Sequence, residues 1–420
     1  MNEKHLQRYA EILVEHGAGL RAGQTLFIHA ETAHRELVRR IAEAAYDRDA
    51  GLVRFWINDP LLQGQLIRRG RLEDVELSRA REQQWYDDVV RARGAVVSLR
   101  GDEYPDLQQE LAKTHPEQHA AFTRATTAVP RVFHLHGINR GLCPWVVAGA
   151  PCVGWAKQVF PGVDGDLALD RLAELVFGFT HADRDDAVEL AAAKDRLLHA
   201  RRRELDALAI RELHVVGPGT DLRLGLSAKA RWLGGSKQTA AGQTFNANVP
   251  SEENFTTPDR RATAGRVRAT MPFRLKNGVL VKDLEMTFEN GRLTWFDAGE
   301  GKEGFGRWID LDEGARHLGE IALVAQDSPI AASGIFFEHT LFDENASAHL
   351  ALGKAYATAL AGGEAMTGGE LAALGVNESA IHTDIMFGSS EVTIVATRSV
   401  EGEVVLIENG RWTERFLEAG

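Results

Sequence analysis

Cysteine is nearly absent from this chain. Only Cys143 and Cys152 occur in 420 residues, which leaves neither a disulfide framework nor a thiolate metal site. Basic runs are missing too: 48 Lys and Arg stand against 60 Asp and Glu, a balance of −12, so nucleic acid is not expected as a main partner. Apolar runs are short. The most apolar window, WVVAGAPCVGWA at 145–156, falls far below the ~20 residues a bilayer requires and contains Pro151. The first residues, MNEKHLQRYAEILVEHG, hold no basic stretch followed by an apolar core, so a cytoplasmic protein without membrane attachment is expected. No Gly-rich loop of the phosphate-binding kind follows any strand-like segment, and no internal repeat or low-complexity linker is found.

What is present reads as a two-domain globular chain, because 420 residues exceed what one core supports. In the first half, TLFIHA (25–30), LVRFWIN (52–58) and GAVVSLR (94–100) alternate with helical stretches such as 3–16 and 34–50. That alternation predicts an α/β domain with a largely parallel sheet. A long helix is expected from about Asp185 to Leu208. Beyond it, Asn277-Gly278, Asn290-Gly291 and Asn409-Gly410 each sit between strand-like runs, the mark of tight hairpins. The expectation is therefore an N-terminal α/β domain over 1–205 and an α+β catalytic domain with antiparallel hairpins over 206–420.

The densest chemistry lies late in the chain. In IFFEHTLFDENASAHLALGKAY (335–356), Ile335, Phe336 and Phe337 predict a buried strand. Asp343, Glu344 and Asn345 then suit a helix start, where negative charge is favoured. On that helix His349 and Tyr356 would share one face, two turns apart. His382-Thr383-Asp384 sets an imidazole and a carboxylate two residues apart, which on a strand point to the same side. Glu252 and Glu253 are adjacent, and Glu320 in GARHLGEIALV is expected on a helix. Imidazoles and carboxylates drawn from four elements suit Zn²⁺, Mn²⁺ or Co²⁺. Taken singly, each has an ordinary reading as a surface or packed residue. His134 and His136 in FHLHG (133–137) have no carboxylate or cysteine nearby in sequence and read as the polar face of a strand.

NVPSEENFTTP (248–258), LGE (318–320), TLFDENASAHLALGKAY (340–356) and HTD (382–384) together resemble the thermophilic-type aminopeptidases. The likeness continues more weakly through GWAKQVFPG (154–162) and GPGTDL (217–222). The resemblance implies a two-domain, homodimeric metallo-exopeptidase acting on peptides with a free N-terminus. It also implies two divalent metal ions per subunit, with Glu253, Glu320, His349, Tyr356, His382 and Asp384 as the metal-site residues. Asn254 and His339 depart from the family's usual aliphatic residue and Asn or Asp, which touches substrate preference and leaves the metal set intact.

Two bridged cations lower the pKa of a shared water from near 16 toward ~7 and polarise the scissile carbonyl. Glu252, the free neighbour of a ligand, suits proton transfer to the leaving amine; the two adjacent acids can also hold the reverse roles. Tyr356 suits either ligation or a hydrogen bond to the tetrahedral intermediate. Two other readings use the same residues. One is a mononuclear non-haem iron ring-cleaving dioxygenase on His382, Asp384 and a second histidine, to which Glu253 and Glu320 would be superfluous. The other is a catalytically silent scaffold, whose mark would be missing ligands.

Overall fold

The computed structural model describes residues 1–400 and 402–417. The chain divides into two compact units, Met1–Ala193 with Ser236–Pro250, and Lys194–Gly235 with Ser251–Gly420. The division is thus not a single cut near 206, which falls inside the helix Ala187–Ala207. Segment 236–250 joins the first unit because Asn248–Val249 pairs in parallel with Val147 and Ala148.

In the first unit, five strands lie in the order Leu52–Asn58, Thr25–Glu31, Ala95–Arg100, Trp145–Gly149, Asn248–Val249. Every pairing is parallel, as the strand–helix alternation predicts. The helix Glu3–Ile12 begins where Asn2 Oδ1 accepts the Lys4 N–H at 3.0 Å, and it buries Leu6, Tyr9 and Ala10 along one face. FHLHG does not form a strand. Phe133–Ile138 is a helical turn, with Phe133 packed 5.6 Å from the Tyr86 ring, so His134 and His136 share no strand face.

The second unit holds an eight-stranded antiparallel sheet built from hairpins. Asn290 and Gly291 take φ of 50° and 82°, and Asn409 and Gly410 take 48° and 73°. Positive φ at both central positions is what a two-residue turn between right-twisted strands demands, and Asn-Gly supplies it with least strain.

A smaller antiparallel sheet carries the site. Its four strands, in spatial and chain order, are β1 (Asn254–Thr256), β2 (Leu318–Leu323), β3 (His349–Gly353) and β4 (His382–Met386). Side chains alternate across a strand. Ile321, Leu323, Leu350, Leu352 and Ile385 therefore enter the hydrophobic core, while Glu320, His349, His382 and Asp384 share the opposite face.

Three readings of the sequence are corrected here. Glu320 lies on β2, not on a helix, and His349 lies on β3 with Tyr356 beyond its end, not two turns along a helix. Both strands are buried on both faces, so their apolar runs show no period of two. Ile335–Phe337 is a loop: the Phe337 and His339 N–H groups each donate to the Asp343 carboxylate at 2.8 Å. Asp343 ends the one-turn helix Thr340–Asp343 and starts no longer one.

Candidate metal centre

Register assembles the centre. Glu320 pairs with Ala351, and Ala351 with Asp384, so two carboxylates on one face flank a single methyl group. Gly353 sits opposite His382 with φ of 100°; a Cβ there would meet the Ile381 carbonyl oxygen at 2.2 Å, so only glycine allows this approach. Glu253 enters from the residue preceding β1.

Two clusters of potential ligands result, Glu253–Glu320–His349 and Glu320–His382–Asp384, with the donor atoms of each within 4.8 Å of one another. Glu320 belongs to both. Its Oε1 lies 3.7 Å from His349 Nε2 and its Oε2 lies 4.0 Å from His382 Nε2. Glu253 Oε2 is 3.3 Å from His349 Nε2, and Asp384 Oδ1 is 3.2 Å from His382 Nε2. Both imidazoles are aimed by the main chain: His349 Nδ1–H donates to the Ser347 carbonyl at 3.0 Å and His382 Nδ1–H to the Lys354 carbonyl at 2.7 Å. This fixes the tautomer and leaves Nε2 facing the carboxylates.

Charges crowd here. Burial raises the Glu320 pKa, and the charges of Glu253 and Asp384 add to the rise. Burial opposes protonation of His349, yet hydrogen bonds to Glu253 and Glu320 prevail and lift it well above the usual imidazole range. For His382 the same burial is outweighed by Asp384, and its pKa reaches about 9. Burial would raise Asp384, but His382 pulls it down to about 2. Without a cation, protonated imidazoles neutralise the carboxylates. A divalent cation supplies that charge instead.

A metalloprotease family model, described as thermophilic metalloprotease (M29), matches residues 2–412. The chain belongs to this family. It is 37% identical to aminopeptidase T of Thermus aquaticus, over 97% of this chain and 98% of that protein. It is 34% identical to aminopeptidase AmpS of Bacillus subtilis, over 97% and 98%. Wild-type AmpT from Thermus thermophilus has a solved structure that superposes with a TM-score of 0.84 at 33% identity, covering 98% of this chain and 99% of that one. A peptide hydrolase of the metalloprotease class accordingly stands behind the geometry.

The donor set fits that class, since oxygen and imidazole nitrogen are what Zn²⁺, Co²⁺ and Mn²⁺ accept. The structure brings together Glu253, Glu320, His349, His382 and Asp384. Tyr356 stands beside them, its ring 5.0 Å from that of His382 and 6.4 Å from that of Phe255. Glu252 is buried but differently engaged. Its carboxylate pairs with the Lys194 ammonium, and its N–H donates to Asn345 Oδ1 at 2.6 Å.

Glu344 escaped the sequence reading, which took it for a helix cap. It lines the cavity beside the cluster with His382 and Asp384, and burial, then the charges of Asp384 and Glu253, push its carboxyl pKa well up. The available signal was its position in the same motif, five residues before His349. Of the two departures from the family, Asn254 is buried and donates to the carbonyls of Leu198 and Leu233, a packing role. His339 lines a cavity of about 280 Å³ beside the centre, together with Glu344, Tyr356, His382 and Asp384.

Proposed function

We propose that this protein is a metal-dependent aminopeptidase that removes N-terminal residues from peptides at a centre for two divalent cations. The observation that carries the reading is Glu320, whose two oxygens face two separate imidazoles in a chain of metalloprotease lineage. Glu253 and His349 would complete one position, and His382 and Asp384 the other, with Glu320 common to both. Glu344 stands ready as a further oxygen donor. When bound, the cations supply an activated water and a Lewis acid for the scissile carbonyl.

The chain's own groups do the rest. Glu252, a carboxylate outside both clusters, suits transfer of a proton from water to the leaving amine. Lys194 pairs with it and holds it in place. Tyr356, at the cavity wall beside His382, suits hydrogen bonding to the tetrahedral intermediate or ligation. The ring-cleaving dioxygenase has no observation in its favour: Glu253 and Glu320 converge with the histidines, and the relatives bear aminopeptidase names.

A chelator should abolish hydrolysis of leucine p-nitroanilide, and Zn²⁺, Co²⁺ or Mn²⁺ should restore it. Full activity in protein shown metal-free by elemental analysis sinks the reading. We further propose that the chain works in the cytoplasm as a homodimer, the assembly that the family resemblance implies. Light scattering at working concentration should return about twice the 46.1 kDa chain mass; a monomer mass counts against it.

A further inference from the structure

Beside the metal centre, the cavity wall sorts its charges unevenly. Glu338, Asp343, Glu344 and Asp384 contribute carboxylates; Arg274 and Lys276 contribute cations. Arg274 is fully engaged: Nε donates to Glu338 Oε2 at 3.1 Å, and Nη1 to the Gly278 carbonyl at 2.9 Å. Lys276 has no carboxylate within ion-pair distance among the described residues, though its charge is felt at Asp384. Its backbone is held firmly. It sits in the turn between Phe273–Arg274 and Leu280–Val281, closed by Leu275 N–H to the Val279 carbonyl at 2.9 Å and Gly278 N–H to the Leu275 carbonyl at 2.8 Å.

A peptide substrate presents an ammonium at one end and a carboxylate at the other. In an aminopeptidase the amino end is the one processed at the metal end of this cavity, so an uncommitted ammonium elsewhere on its wall is the natural seat for the carboxylate. Space agrees. At about 280 Å³ the cavity lies just below the usual span of ligand pockets, roughly 300 to 1,000 Å³. A dipeptide spans at most about 7 Å and a tripeptide about 11 Å when extended. Phe273, Leu275 and Met386 supply apolar wall for side chains between the two ends.

We propose that Lys276 binds the C-terminal carboxylate of di- and tripeptides and so makes short peptides the preferred substrates. This rests on the aminopeptidase reading and adds the substrate class. The test compares Leu-Gly with Leu-Gly-amide on the metal-loaded enzyme, in wild type, Lys276→Met and Lys276→Arg. Wild type should favour the free acid by about 10-fold in kcat/KM, chiefly through KM, because a charge-assisted contact is lost in the amide. The preference should shrink as salt is raised. It should fall to near unity in Lys276→Met and persist in Lys276→Arg. Taking the ratio within each protein cancels any loss from folding or metal content. Equal rates on acid and amide in wild type, or an unchanged ratio in Lys276→Met, overturns the proposal while leaving the aminopeptidase intact. No turnover of these peptides or of leucine p-nitroanilide by metal-loaded wild type defeats the parent reading itself, and this one with it.

Discussion

Glu252→Gln is expected to keep its metal and its fold and to lose about 10²- to 10⁴-fold in kcat, with KM changed far less. Glu253→Ala should fail differently, losing metal first and activity as a consequence. The two residues are adjacent and chemically alike, yet the structure engages them with different partners. Glu253 Oε2 stands 3.3 Å from His349 Nε2, whereas the Glu252 carboxylate meets the Lys194 ammonium. A buried carboxylate balanced by a lysine has no need of a cation to be stable, and it stays outside both ligand clusters. Its amide analogue preserves volume and leaves the Asn345 contact unchanged, because there the backbone N–H of residue 252 is the donor. Metal stoichiometry decides the assignment. Loss of metal in Glu252→Gln with retention in Glu253→Ala reverses the roles, and near-wild-type turnover in Glu252→Gln removes it from proton transfer.

Glu320→Gln should have the widest effect of any single change in the centre, because one residue serves both clusters. Turnover is expected to fall by at least about 10³-fold, since several kcal/mol of transition-state stabilisation depend on the cations. Stability should respond in a particular way. Bound metal stabilises the folded state by about 2.7 kcal/mol at 100 times its Kd, and this metal-dependent rise in Tm should vanish in the variant. The chelated variant should be no less stable than chelated wild type, because the amide removes a buried charge crowded by Glu253 and Asp384. Two metals per chain in Glu320→Gln would refute the shared role.

How far these arrangements were legible depended on how each residue is surrounded. His382-Thr383-Asp384 was readable because an alternating polar pair on a strand announces its own face. The Asn290-Gly291 and Asn409-Gly410 hairpins were readable because turn geometry is local, set by φ at two residues, whereas at Asn277-Gly278 only the glycine takes positive φ. Glu320 and His349 were recognised as chemistry but placed on helices. LGEIAL and HLALG are buried on both faces, so the pairing that makes them strands comes from partners distant in sequence. Glu344 looked like a cap because Asp, Glu and Asn in succession also favour helix starts. Lys194 gave no signal at all: it lies 58 positions from Glu252, and nothing local to either residue implies the pair.

The orientation of His349 and His382 has a further consequence. Their Nδ1 partners are the carbonyls of Ser347 and Lys354, which belong to the polymer itself. No substitution of a single side chain deletes a carbonyl, so neither aiming contact can be lost to one codon change at the acceptor. Where a carboxylate side chain behind the ligand holds a histidine, drift at that position erodes the site. Here the hold is inherited with the strand path. The aim of the two imidazoles is therefore robust to side-chain change at the acceptors, while the donors and Gly353 stay exposed to mutation, and the surrounding wall is free to diverge in pursuit of new substrates.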